Sequence, residues 1–257
     1  MRSCGSSNSN PPTFRSDIPS MHIRPADLIA WLRTRVTATG AEGLIVPLTN
    51  SLQAAVVSRL CQLAVRDAVL GALLPAGADD RAQASMLAQQ LQLPVVDVDC
   101  QSAAALADEL RAQVERIGRR RVRSPEAVSA PGTLSTRVHM AAVHFVADSL
   151  NCLIAGTLDR TDLALGAFTR YAESDVDLLP LGTAHRSEVI ALARDLELPA
   201  GLAERVPLAP DATVSHQDLE RYQADGPDGV APAVALRIER LMRESERKRT
   251  PAELPDE

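Results

Sequence analysis

Aromatic residues are scarce in this sequence of 257 residues, where Trp, Tyr and Phe together make up only 2%. Ala, Leu and Val must therefore fill the core. Because each of them buries less area than an aromatic ring, we expect many helices with close packing of small side chains. No apolar run reaches the length of about 18 residues that a membrane-spanning helix needs, so we expect no membrane association.

Cysteine is also sparse, and its spacing argues against a structural metal site. The four cysteines include no C-x-x-C pair, and no His stands at a zinc-like offset from any of them. Wide spacing in a chain of this size suits a reducing compartment, where cysteines serve as small core residues. We therefore predict a cytoplasmic protein.

An excess of positive charge is absent too. The formal net charge is −6, whereas a nucleic-acid-binding surface usually carries a basic excess. We therefore expect no nucleic-acid partner. Arginines cluster at residues 119–123, and this cluster is interpreted either as a solvated loop or as a phosphate-binding patch.

The first 20 residues are polar, rich in Ser, Pro and Asn, and lack the apolar segment of a secretion signal. We predict a disordered leader over residues 1–20 and one domain over residues 21–257. Met1 and Met21 are both plausible starts.

From residue 24 onward, short apolar runs alternate with segments of helical periodicity. This alternation is typical of a parallel sheet covered by helices on both faces, so the predicted fold class is α/β, a single Rossmann-like domain. The predicted strands cover residues 43–48, 70–74, 94–99 and 152–155. The predicted helices cover residues 25–39, 53–69, 79–91, 103–117, 136–150, 187–196 and 234–249.

Ligands of such sheets bind beyond the carboxyl ends of the strands. The segments after Leu48 and after Ala155 are therefore the expected places for a site. The stretch over residues 206–231 is rich in Pro, Asp and Gly, and we predict a mobile loop or lid there.

Three segments carry a family resemblance. The first runs GTLDRTD from Gly156 and GAFTRY from Gly166, the second DLLPLG from Asp177, and the third SERKR from Ser245. In order and spacing they resemble the motifs G-T-x-[ND]-x-[ST]-E, G-[YF]-F-T-K-Y, D-[IL]-x-P-L and E-H-K-R of the ammonia-dependent NAD synthetases. Those enzymes belong to the ATP-pyrophosphatase group, and the similarity extends over about residues 24–251.

The resemblance implies a reaction and its cofactors. Members of that family use ATP and Mg²⁺ to adenylate the nicotinate carboxylate of deamido-NAD, releasing pyrophosphate. Ammonia then displaces AMP. They are homodimers whose sites form at a subunit interface, so the resemblance implies a homodimer here. No glutaminase domain accompanies the similar region, so an active form would use free ammonia or a separate donor.

The family's phosphate-binding loop, S-G-G-x-D-S, aligns with the segment TNSLQA, in which both glycines are replaced. Glycine amides approach phosphate closely, and the aspartate holds magnesium, for which a neutral Gln is a poor substitute. The segment is interpreted either as a rebuilt phosphate loop or as an ordinary turn whose Ser or Asn caps the next helix. Its aligned residues are Thr49, Asn50, Ser51, Gln53 and Ala54.

Other positions of the family match only in part. By resemblance, Thr157, Arg186 and Leu208 belong to the ATP site, and Asp162 stands where a magnesium-binding Glu is expected. The four aspartates Asp159, Asp162, Asp175 and Asp177 are interpreted either as magnesium ligands or as solvated loop carboxylates. The residues that align with substrate contacts are Arg137, Arg170, Asp177, Arg247 and Lys248.

Two hypotheses for the function follow. In the first, the chain is an NAD synthetase-like protein whose altered loop makes it catalytically impaired or inactive, with dinucleotide binding or a regulatory role retained and no cofactor needed. In the second, it is an active ATP-dependent ligase that amidates deamido-NAD or another carboxylate. Arg186, Arg170 and magnesium on Asp162 then supply the phosphate site.

Overall fold

A computed structural model describes residues 23–74, 78–99, 101–117, 133–203 and 214–250. The predicted leader at residues 1–20 and the arginine cluster at residues 119–123 lie outside these residues.

Four parallel strands form the central sheet in the order β3-β2-β1-β4. The α/β prediction is therefore confirmed. The strands are β1 (Gly43–Leu48), β2 (Val69–Leu73), β3 (Val95–Asp97) and β4 (Cys152–Ile154).

Helices connect and cover these strands. In chain order, those in the described part of the molecule are α1 (Pro25–Thr39), α2 (Leu52–Val65), α3 (Ala78–Gln90), α4 (Gln101–Ile117), α5 (Thr133–Leu150), α6 (Arg160–Leu165), α7 (Arg186–Asp195), α8 (Ala200–Ala203), α9 (His216–Asp225) and α10 (Pro232–Arg249). None of the helices in these ranges is long and apolar enough to cross a membrane.

The alternation of side chains along β1 explains why the sheet is covered on both faces. Leu44, Val46 and Leu48 face a core shared with α1, α2 and α7. Ile45 faces the opposite core, where it packs with Met140 and other residues of α5. All of β1 is buried, as expected for a central strand of a parallel sheet.

Two predicted segments differ from the structure by more than three residues, and α6 and α8 were not predicted. The helix predicted over residues 53–69 ends at Val65, because Arg66 adopts a φ of 49° and the chain turns into β2. Within the segment predicted as a loop or lid, residues 216–225 form α9 instead. Its capping box pairs the Ser215 hydroxyl with the Asp218 amide, and Leu219 is buried against α10. The prediction relied on the Pro and Gly content of the whole stretch, whereas residues 216–225 contain neither residue type.

Candidate active site

The candidate site lies at the carboxyl ends of β1 and β4, which are adjacent in the sheet. From β1 the chain runs outward through β2 to β3, whereas β4 lies on the other side of β1. Strand order thus reverses between β1 and β4, and α/β sheets bind their ligands at such a switch point. Residues 49–51 leave β1 here for α2, and residues 155–159 leave β4 for α6.

The polar side chains of the loop after β1 are all engaged in hydrogen bonds within the protein. The Ser51 hydroxyl accepts a hydrogen bond from the Ala54 amide at 3.1 Å, which makes Ser51 the N-cap of α2. The Thr49 hydroxyl donates to the Ser51 hydroxyl at 3.1 Å, and the Asn50 amide group donates to Gln83. Of the two interpretations of this segment, the geometry matches the helix cap. A helix-terminal amide that phosphate could have used already has a partner.

Next to this loop, four polar side chains converge in the interior. The Nη2 atom of Arg186 lies 3.2 Å from Oδ2 of Asp159 and 3.8 Å from Oδ1 of Asp162. The Gln53 amide nitrogen lies 3.5 Å from Oδ2 of each aspartate. We call this set the Arg186 cluster. Three of its four members are predicted site residues, brought together from α2, α6 and α7.

The environment of Asp162 changes its acidity. Burial, reinforced by the neighbouring negative charge of Asp159, raises the pKa of Asp162 to about 7, although Arg186 opposes the shift. Asp159 is fully buried and also caps α6, where its carboxylate accepts a hydrogen bond from the Asp162 amide at 3.0 Å. Both carboxylates therefore have structural roles in addition to any chemistry.

The Arg186 cluster does not fit a magnesium ion. Magnesium requires several oxygen ligands in near-octahedral geometry, yet the carboxylate oxygens here face the guanidinium of Arg186 and the amide nitrogen of Gln53. Among the residues that the structure describes, no group of three or more His, Cys, Asp or Glu side chains could hold a metal ion.

The predicted ATP-site residues also include Thr157, Ala54 and Leu208. Thr157 is half-buried in the segment after β4, Ala54 is fully buried and offers no hydroxyl, and Leu208 lies outside the described residues. The guanidinium of Arg186 is buried, and in the described structure its Nε and Nη1 atoms have no hydrogen-bond partner.

Three of the side chains predicted to bind substrate contact the protein backbone. Arg137 donates from Nε to the carbonyl of Arg170 at 3.2 Å. Arg170 donates to the carbonyl of Thr250 at 2.7 Å, and its guanidinium lies over the Tyr171 ring. Asp177 accepts a hydrogen bond from the Ile154 amide at 2.7 Å. These contacts link α5 to the segment after α6, that segment to the residue after α10, and Asp177 to β4.

The two cations predicted at the end of α10 behave differently. Lys248 donates from Nζ to the carbonyls of Gly166 at 2.7 Å and of Phe168 at 2.8 Å, and burial lowers its pKa. Arg247 is exposed. Arg249, which the sequence did not single out, donates to the carbonyls of Leu163 and Ala164. Arg249 thus satisfies carbonyls at the end of α6, where cations are favourable, and Lys248 satisfies carbonyls just beyond it.

Sequence reasoning missed Asp159 as the main partner of Arg186. Its signal was present, because an Asp at the N-cap with an acid three residues later is a capping-box pattern, and Asp159 and Asp162 form one. The approach of Arg186 from α7 has no local signal, since it depends on how α6 and α7 pack.

Comparison with known proteins gives a consistent result. The model of the family described as NAD synthase matches residues 25–224. An NH(3)-dependent NAD(+) synthetase of Carboxydothermus hydrogenoformans is 30% identical over 89% of this chain and 95% of its own length. A protein of the same description from Methanosarcina mazei is 28% identical over 81% of this chain and 84% of its own.

Solved structures agree on the fold. The NH3-dependent NAD synthetase of Campylobacter jejuni superposes with a TM-score of 0.71 at 19% identity, covering 90% of this chain and 97% of that one. The NMN synthetase of Francisella tularensis gives a TM-score of 0.74 at 21% identity, with 91% and 99% coverage.

Proposed function

Because the chain belongs to the NAD synthase family, we propose that it is an NAD synthetase-like protein that has lost the ATP-dependent activation of its substrate. Retained binding of a dinucleotide such as deamido-NAD, within a homodimer, is the role we assign to it. On this proposal it requires neither ATP nor Mg²⁺.

The hydrogen bond between the Ser51 hydroxyl and the Ala54 amide carries the proposal. A triphosphate held at a helix N-terminus is bound by free backbone amides. Here the first turn of α2 is capped by its own side chain, and the loop has no glycine that would let phosphate approach the backbone. Loss of even one donor to a developing charge costs on the order of a hundred-fold in rate.

The Arg186 cluster supports the same proposal. Arg186, aligned with a phosphate-binding Lys, is buried in ion pairs with Asp159 and Asp162. Gln53, aligned with a magnesium-binding Asp, donates to the same carboxylates. A phosphate bound to Arg186 would bring its negative charge close to both carboxylates.

The test is to incubate the purified protein with ATP, Mg²⁺, deamido-NAD and ammonium, and to measure pyrophosphate and NAD. The Carboxydothermus hydrogenoformans relative, assayed in parallel, is the positive control. We expect no product above the rate without enzyme. Product formation at a rate comparable to that of the control would refute the proposal. Calorimetric titration with deamido-NAD, and sedimentation of the free protein, test the binding role and the homodimer separately.

A second candidate function is an active ATP-dependent ligase acting through an adenylate on deamido-NAD or another carboxylate. One observation favours it: Nε and Nη1 of Arg186 are buried and unpartnered within the described structure, so they could receive a phosphate oxygen without breaking an existing bond. Since one solved neighbour is named an NMN synthetase, the assay should include the deamidated mononucleotide as an alternative substrate. In this case Arg186→Met should abolish the activity, whereas Arg194→Met, on the exposed side of the same helix, should not.

A further inference from the structure

The four side chains of the Arg186 cluster are largely shielded from solvent. Asp159 and Arg186 are 0% and 3% exposed, Gln53 is 5% exposed, and only Asp162 retains partial access to solvent. Charges buried to this extent are stable only when they are paired. The structure supplies the pairing from within the chain, by one guanidinium placed against two carboxylates.

Every carboxylate oxygen in the cluster faces a nitrogen that carries hydrogen. Oδ1 of Asp159 accepts from the Asp162 amide, and Oδ2 faces both Arg186 and Gln53. Oδ1 of Asp162 faces Arg186, and Oδ2 faces Gln53 and the Asp159 amide. A divalent cation needs carboxylate oxygens free of such donors, because it binds the same lone pairs.

Charge leads to the same conclusion. A magnesium ion coordinated by these aspartates at its usual distance of about 2.1 Å would lie within a few ångströms of the Arg186 guanidinium, in an interior where repulsion between like charges is weakly screened. The Gln53 amide adds no negative charge to offset that repulsion.

We infer that the guanidinium of Arg186 takes the place of a divalent cation in this protein, so that donors of the chain itself occupy the oxygens of the Asp159–Asp162 carboxylate pair and the site is closed to metal ions. This inference does not depend on the proposed loss of activity, since a ligase that works without a metal would satisfy it equally.

Mn²⁺ is a suitable probe, because its free ion gives a six-line electron paramagnetic resonance signal that disappears on binding. Titrated into the full-length protein, Mn²⁺ should show no binding that depends on Asp162. The variant Arg186→Met removes the charge but keeps much of the volume. It should bind one Mn²⁺ per chain at least about tenfold more tightly than the wild type does. Arg194→Met, exposed on the same helix, should behave like the wild type.

A second readout follows stability. About 10 mM Mg²⁺ should raise the melting temperature of Arg186→Met by several degrees and leave that of the wild type unchanged, because only a bound ion stabilises the fold. If Arg186→Met does not fold, Arg186→Gln replaces it. That change also removes the positive charge, keeps a polar group in its place and should raise the affinity for Mn²⁺ by a similar factor.

Two results would overturn the inference. One is stoichiometric Mn²⁺ binding by the wild type that Asp162→Asn abolishes. The other is a folded variant, Arg186→Met or Arg186→Gln, that gains no Mn²⁺ affinity, since the guanidinium would then not be what excludes the ion.

Discussion

Lys248 offers a direct test of whether the cations at the end of α10 serve the fold or a ligand. Its ammonium donates to the carbonyls of Gly166 and Phe168 at 2.7 and 2.8 Å, just beyond the carbonyl end of α6. That short helix begins at the capping box of Asp159 and Asp162. Replacing Lys248 by Met keeps the aliphatic stem but leaves the carbonyls without these donors.

The size of the effect can be worked out from these contacts. A hydrogen bond to a charged group contributes about 1.5–3 kcal/mol, and Lys248 is half-buried, so partial screening by solvent places each bond at the lower end of that range. Together they give about 2–3 kcal/mol. For a domain of this size each kcal/mol shifts the melting temperature by about 2–4 °C, so Lys248→Met should melt about 4–12 °C lower than the wild type.

The assay is thermal unfolding followed by circular dichroism, with no nucleotide present. Arg247→Met is the matched control, because Arg247 is the adjacent residue, carries the same charge and is exposed. Its effect should remain within about 0.5 kcal/mol. Equal melting temperatures for Lys248→Met and Arg247→Met would show that Lys248 does not stabilise the fold. Lys248 would then again be a candidate for substrate binding.

Three further predictions concern the site and its support. Ser51→Ala should lower the free energy of unfolding by about 0.5–2 kcal/mol in a urea titration, since the Ala54 amide loses its cap; an unchanged midpoint would contradict the cap. The pKa of Asp162 is raised to about 7 in the folded state. Between about pH 4 and pH 7 the folded protein therefore holds a proton that the unfolded chain has released. Stability should therefore fall as the pH rises from about 4 to 7, and Asp162→Asn should flatten that dependence; equal slopes would contradict the shift. Gly166→Ala should destabilise the protein, because Gly166 has a φ of 64° and a Cβ there would collide with Ser245; full stability would mean that α10 can move.

The sequence was sufficient to predict the sheet, because its strands carry strong local signals. The apolar run that forms β1 is bounded by Gly43 and Thr49, and Gly40 ends α1 in the left-handed conformation with a φ of 71°. Turn chemistry and apolar periodicity both act over a few residues, so they can be recognised without tertiary information.

The site was less accessible to such reasoning. Alignment placed Gln53, Asp162 and Arg186 in one site, but not the way in which they neutralise one another, which depends on the packing of α2, α6 and α7. The substrate-binding assignments of Arg137, Arg170 and Asp177 rest on resemblance and stay predictions; what the structure adds is their contacts with the backbone groups of other segments. A motif specifies which side chain is present, and the fold decides what it contacts.

The central claim is tested most directly by calorimetric titration with ATP in a buffer that contains Mg²⁺. The titration is carried out on the wild type and on a variant whose phosphate loop is restored. The restored loop carries Thr49→Ser, Asn50→Gly, Ser51→Gly, Gln53→Asp and Ala54→Ser. We predict that the wild type binds ATP with a Kd above about 1 mM, and that the restored variant binds ATP at least about tenfold more tightly than the wild type. Micromolar binding of ATP by the wild type would contradict the account.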